Sequence, residues 1–430
     1  MNRIIKENYK SILQEELVLA IGCTEPISIA YCAAMARHIL GKKPDKIKIN
    51  VSGNMLKNAM GVIIPHTTSL RGVLAAGVLG TVGGNALKKL AVLEDVTDEH
   101  IEETLALLET NYAILETKDT TIKLYVEITA YKDNEYATVE IKHTHTNIVK
   151  IEKNGQIDSF TKCDDDDFNT PLITRELLNI KEIYEFATQI DLEPLIPMLK
   201  MQMDMNYAIA NKGLMHDYGL NVGSTLLKYM KENDIVRKAT AYTAAGSDAR
   251  MSGSTMPVVT NSGSGNQGIT TSVPLVIYAE YKKSKNEDLY RALILSDLIA
   301  IHIKTKLGRL SAFCGVVVAA TGAACGISYL DGANERQIED TIKNILANIS
   351  GVFCDGAKPS CASKIASSVD AAFQASMLAM NNHSIESCSG IISDDIEQTI
   401  KNVGEIGYKA MNETDKKIIE IMSKSCNKNC

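Results

Sequence analysis

The sequence predicts an α+β protein, with an N-terminal α/β region carrying a small antiparallel sheet and a large all-helical C-terminal domain behind it. Three observations lead there. Thr121 to Tyr131 and Tyr136 to Glu152 alternate apolar and polar residues on either side of Lys132-Asp133-Asn134-Glu135, the pattern of a β-hairpin. From Thr174 onward the period turns helical almost to the end. The chain has 430 residues, too many for one ordinary core, so 1–162 and 163–430 are read as two domains.

Taken in order, Ile4 to Ala20 is an amphipathic helix ending at Ile21-Gly22, with Gly22 as a left-handed cap. Thr24 caps a second helix, with Glu25 and Pro26 in its first turn and an apolar pattern to Leu40, stopped by Gly41. Cys23 therefore stands just before a helix N-terminus, whose positive dipole end favours a thiolate. On the residues alone Cys23 is equally a reactive thiol or a buried structural one, and Cys32, inside the helix, is structural. Lys46 to Val51 alternates like a strand and meets Ser52-Gly53-Asn54 and a helix through Lys57 and Asn58. Met60 to Gly84 is a loop around Pro65-His66-Thr67-Thr68 and a packed helix, and Asp98 to Glu109 is a helix with a charged face. His143 and His145, two apart, would share one strand face; a solvated face explains them better than a metal pair. Cys163-Asp164-Asp165-Asp166-Asp167 is a solvated linker, because four consecutive acids cannot all face one cation.

In the helical half the periodic segments are Glu182 to Ile190, Pro194 to Lys212, Gly223 to Met230, Leu289 to Lys306, Glu335 to Ile349, Ala362 to Met380 and Ser393 to Met411. Two stretches break the period: Ala245 to Gly253, and Asn261-Ser262-Gly263-Ser264-Gly265-Asn266-Gln267-Gly268. Glycines let backbone N-H groups approach a ligand, and Ser and Asn add neutral donors, which suits a carboxylate or phosphate as well as a tight turn. Cys354 and Cys361 lie in a Gly/Pro turn with six residues between them, ahead of a helical pattern, and Cys314 lies forty residues upstream. Three thiolates on one metal centre leave a coordination position open for substrate. The spacing is neither a C-x2-C zinc pattern nor a ferredoxin run, so chance recurrence of a small buried residue is an equal reading.

Composition narrows the function classes. A net charge of -7 argues against a nucleic-acid footprint and for a small-molecule role. Charges interrupt any apolar run at Met1 to Glu7, and ten cysteines without an export signal point to reduced thiols in the cytoplasm. Leu310 to Leu330 is uncharged and long enough to span a bilayer, but its Ala, Gly, Ser, Thr and Cys content suits tight packing in a soluble core, so no membrane partner is expected. A homo-oligomer is compatible with all of this.

Together, Gly22-Cys23-Thr24-Glu25-Pro26, Ser52-Gly53-Asn54-Met55-Leu56-Lys57-Asn58, Ser262 to Gly268 and Cys354-Asp355-Gly356-Ala357-Lys358-Pro359-Ser360-Cys361 resemble the L-cysteine desulfidase family, which is related to the catalytic chain of iron-sulfur L-serine dehydratases. The resemblance runs from about Cys23 to the C-terminal helices. It implies a 4Fe-4S cluster held by Cys314, Cys354 and Cys361, with Cys23 as proton acceptor. It also implies a substrate loop containing Ser262, Gly263, Ser264 and Asn266, and β-elimination of L-cysteine to hydrogen sulfide, ammonia and pyruvate. The rivals are an eliminase of the same plan acting on L-serine, a pyridoxal-phosphate lyase with Lys57 as its Schiff-base residue, and a non-catalytic sensor with zinc on the three cysteines plus His302 or His383. The helical C-terminal half argues against the pyridoxal fold. Cys426 and Cys430 match no family feature and are expected in a disordered tail.

Overall fold

The structure, a computed structural model, describes residues 2–426 apart from 68, 163–172, 309 and 388. Among them the alternating apolar runs form eight strands: β1 (Leu19–Ile21), β2 (Lys46–Ser52), β3 (Ala113–Lys118), β4 (Tyr125–Lys132), β5 (Glu135–Lys142), β6 (Ile148–Lys153), β7 (Gln156–Phe160) and β8 (Pro257–Val259). Six of them make one sheet in the order β3-β2-β4-β5-β6-β7. Alternation puts Ile47, Ile49 and Val51 of β2 on the same face as Val126, Ile128 and Ala130 of β4, and all six are fully buried. The helices Thr24–Leu40 and Gly72–Gly83 cover that face and complete one apolar core. The chain is mixed α+β, as the sequence predicts.

The sheet differs from expectation in two ways. It is not wholly antiparallel, because β2 pairs with β3 in parallel after a crossover through three helices. The run Tyr136 to Glu152 is two strands, β5 and β6, joined by a turn in which His143 takes φ 66°. His143 and His145 therefore occupy a connection rather than a solvated strand face, and both are buried. Alternation alone does not reveal a turn made of Thr and His, since those residues also suit a strand.

A second core gathers the helical half. It includes the first helix, Arg3–Glu16, which was counted with the N-terminal region: Tyr9, Ile12 and Leu13 pack there, and the Tyr9 ring meets Phe186 edge-on at 5.4 Å. That helix stops at Glu16 rather than Ala20, because Leu19–Ile21 leaves to pair with Pro257–Val259. The stretch Ala245 to Gly253, expected to be irregular, is helical to Met251 within Ile235–Met251. Its small residues accept neighbours on every side, with Gly213 and Gly223 of two other helices lying against Ala245, so no polar face marks its period. The uncharged segment after Leu310 forms the buried helix Gly315–Leu330, and among the described residues no helix is long and apolar enough to cross a membrane. The acidic linker Cys163 to Asp167 and the terminal Cys430 lie outside the described residues, while Cys426 ends the last helix, Met411–Cys426.

That last helix is tied to the first core by a buried ion pair. Lys57 Nζ meets Asp415 Oδ1, Asn54 donates to the other carboxylate oxygen, and Lys57 also donates to the carbonyl of Cys354 at 3.2 Å. Removing one partner of such a pair strands the other without solvent. Asp415→Ala should lower unfolding free energy by about 3–5 kcal/mol in urea titrations, whereas Lys57→Met combined with Asp415→Leu should recover most of the loss.

Candidate active site

Four stretches far apart in sequence converge where the two cores meet. Antiparallel pairing of β1 with β8 sets Cys23, two residues beyond β1, beside the turn that follows β8. Cys23 is the N-cap of Thr24–Leu40 and is almost completely buried. Its Sγ donates to Glu25 Oε2 at 3.0 Å, and Thr24 Oγ1 donates to the carbonyl of Gly263 at 3.0 Å, joining this helix start to the serine-rich turn. Asn58 donates to Glu25 Oε1 at 3.4 Å and the His145 ring lies 3.8 Å from the same oxygen.

These contacts set the protonation of the pair. Burial and the adjacent Glu25 carboxylate hold the Cys23 thiol well above its ordinary range, and the Arg250 charge offsets them only in part. The resting residue is a thiol, not the thiolate that a helix N-terminus by itself would favour. Burial pushes Glu25 up, but His145 and the hydrogen bond from Cys23 outweigh it and hold the carboxyl at about 2.

The turn is built by Asn261 and Ser264, which exchange two backbone hydrogen bonds around Ser262 (φ 51°) and Gly263 (φ 76°). Asn261 anchors it to Asp297 Oδ1 at 2.9 Å. Ser262 Oγ donates to Asn261, so its hydroxyl is committed to the turn. Ser264 is the N-cap of Gly265–Lys282, and Asn266 in its first turn accepts from Arg250 Nη1 at 3.2 Å. A cavity of about 310 Å³ adjoins this region, with Glu16, Thr24, His145, Asn147, Thr260 and Gly263 among its walls.

Cys314, Cys354 and Cys361 lie on the other side. Cys314 is the N-cap of Gly315–Leu330, and Cys361 opens Cys361–Met380. A two-bond bridge, Cys314 N to Val352 O at 3.0 Å and Cys354 N to Ala312 O at 2.6 Å, zips the first thiol loop to the second. Cys314 hydrogen-bonds Cys354, which draws Cys354 towards the thiolate and raises Cys314. Lys57 and Lys304 add positive potential at Cys354. Gly356, at φ 93°, lets the loop lie on the helix Gly53–Ala59, where a Cβ would stand 2.4 Å from the carbonyl oxygen of Lys57. Cys361 and Ala357 pack against the small cluster of Cys23, Val62 and Met251, which closes the gap to the N-terminal thiol.

The donor set suits an iron-sulfur cluster. It offers three thiols, two of them at helix N-termini, beside the cations Lys57, Lys304 and Lys364, and the nearby Asp355 is neutralised by Lys358 and Lys364. Among the described residues no three His, Cys, Asp or Glu side chains close on one point as a single ion requires. His302 is bonded to Glu397 at 2.7 Å and His383 is exposed, so neither stands with the cysteines as the fourth zinc ligand of the sensor reading. Lys57 is engaged with Asp415 and the Cys354 carbonyl, unlike the free amine that a pyridoxal lyase needs.

Arg250, His145 and Glu25 take places in the site that their sequence positions leave unassigned: a period-breaking stretch, a pair read as a solvated strand face and the first turn of a helix. A signal existed for Arg250, a cation in a helix of Ala, Gly, Ser and Thr with no acid three or four residues away. Glu25 offers a measurable check. Its depressed pKa means that the ionised form contributes stability fully above pH 4.5, lost as the pH falls through about 2. The stability gap between wild type and Glu25→Gln in urea should therefore be constant at neutral pH and shrink steadily as the pH drops from 4.5 towards 2.

Known proteins resemble the chain over nearly its full length. A UPF0597 protein of Lachnoclostridium phytofermentans is 46% identical over 411 residues, covering 96% of this chain and 98% of the relative. A UPF0597 protein of Finegoldia magna is 45% identical over 419 residues, covering 97% and 99%. Another, from Treponema denticola, is 43% identical over 422 residues, covering 97% and 98%. The model of the serine dehydratase alpha chain matches residues 87–420, which include the serine-rich turn and all three clustered thiols, and the protein belongs to that family.

Proposed function

We propose that this protein catalyses iron-sulfur-dependent β-elimination of L-cysteine, releasing hydrogen sulfide and an aminoacrylate that hydrolyses to pyruvate and ammonia. The observation that supports it most is the packing of Cys361 against the cluster that Cys23 forms with Val62 and Met251, with Cys314 and Cys354 sharing a hydrogen bond. Cys314, Cys354 and Cys361 would hold the cluster. When bound, it would supply a Lewis-acidic iron that stabilises charge on the leaving group.

The chain's own residues handle the proton. Cys23 takes the Cα proton as a thiolate, its own proton having left to solvent before the substrate binds. The Arg250 charge favours that form, while Glu25 stays a carboxylate. The Cα–H bond then breaks and its proton goes to Cys23 Sγ. Its electron pair forms the Cα=Cβ bond, and the Cβ–S bond breaks with its pair on sulfide. Val62, Met251 and Ala357 keep bulk water away from this thiol. The family description favours a second substrate, L-serine, for which the same residues would act and hydroxide would leave in place of sulfide.

Anaerobic protein reconstituted with iron and sulfide should release sulfide and pyruvate in equal amounts from L-cysteine. Cys354→Ser should lose iron and turnover together. Cys23→Ser should keep its iron absorbance and lose roughly 100-fold or more in rate. Pyruvate from L-serine with no sulfide from L-cysteine would move the assignment to dehydration, and a fully active Cys23→Ser would remove Cys23 as the base.

A further inference from the structure

Arg250 is 2% exposed, yet two of its three guanidinium nitrogens, Nε and Nη2, have no hydrogen-bond partner among the described residues. No carboxylate of those residues lies within ion-pair distance of it either. Burying a cation in this way is costly unless something anionic arrives to pair with it. The third nitrogen, Nη1, donates to Asn266 Oδ1 at 3.2 Å, which fixes the plane of the group. Nε and Nη2 share one edge of the guanidinium, the edge that meets both oxygens of a carboxylate in a side-on bidentate pair.

Gly265 packs against the group: a Cβ on that residue would stand 2.4 Å from Nε and 2.8 Å from Cζ, so a larger residue there would displace the guanidinium. Gly265 is also the first residue of Gly265–Lys282, so the helix N-terminus adds a second favourable field for an anion at the same spot. Met251, the next residue, packs in one cluster with Cys23, the thiol that the elimination uses. Ser262, by contrast, has already given its hydroxyl to Asn261.

We infer that Arg250 is the carboxylate-binding residue of the site, gripping the substrate through Nε and Nη2, and that the protein selects α-amino acids with a free carboxylate over the corresponding amines. This rests on the elimination site proposed above, but its test does not require turnover. L-alanine and ethylamine differ in the carboxylate, and neither carries a β leaving group.

In calorimetric titrations of anaerobically purified full-length protein, L-alanine should bind at least roughly tenfold more tightly than ethylamine. Arg250→Gln should abolish that preference while iron content and circular dichroism stay at wild-type values, and Arg250→Lys, a point charge without the fork, should keep part of it. The inference is overturned if wild type binds the two alike or binds neither, or if Arg250→Gln keeps the preference. Should Arg250→Gln fail to fold, the wild-type comparison decides by itself. Loss of sulfide and pyruvate production alongside an Arg250-dependent preference would sink the elimination and leave the carboxylate grip intact. The opposite pair of results would sink the grip alone.

Discussion

A buried ammonium holds the molecule's halves in register. Lys57 cannot stay inside the protein without acceptors, and it finds them on two distant pieces of chain: the Asp415 carboxylate of the last helix and the Cys354 carbonyl of the thiol loop. Gly356 then brings that loop onto the backbone of Lys57 itself. Because the helix that carries Lys57 follows directly from β2, the sheet core, the thiol loop and the C-terminal helix are joined through one side chain. The positive charge also falls on Cys354, so the group that organises the fold conditions the chemistry of the sulfur beside it.

The site divides into two electrostatic halves. Of the three thiols only Cys354 is drawn towards the thiolate, by its hydrogen bond with Cys314 and the charges of Lys57 and Lys304; the same bond raises Cys314, and burial raises Cys361. Around Cys23 the nearest charge is the Glu25 carboxylate, and burial adds to it, so the proton stays on sulfur. Cys23 and Cys354 are thus held in opposite states. The helix N-terminus at Cys23 does not alter this, since a terminal dipole is worth about 1 kcal/mol and burial of a thiolate costs more.

Glycine and alanine make this convergence sterically possible. Gly265 lets its backbone lie against the Arg250 guanidinium, and Gly213 and Gly223 let two helices close on the one that carries Arg250. Larger side chains would separate the helices and disturb the cluster of Cys23, Val62 and Met251 against which Ala357 and Cys361 pack. The small-residue composition of this half, which resembles a membrane segment on paper, is what lets several helices meet at one buried polar point.

By itself the sequence determined the class and order of the elements: the β-hairpin, the helix behind Cys23 ending at Gly41, the helical half, and the motifs around Cys23, Ser262, Cys314, Cys354 and Cys361. These were legible because each depends on residues near in sequence, whose apolar period, cap or turn chemistry is local. Tertiary structure alone decided that Leu19–Ile21 leaves its helix to pair with Pro257–Val259, that Ala245 to Met251 is helical, and that His145 turns inward to Glu25. It also decided that Cys23 keeps its proton and that one edge of Arg250 is buried without a partner. The strand pairing and the turn of His145 depend on partners a hundred or more residues away. The states of Cys23 and Arg250 depend on burial, and the helix at Ala245 depends on neighbouring helices that erase the polar face by which a period is recognised.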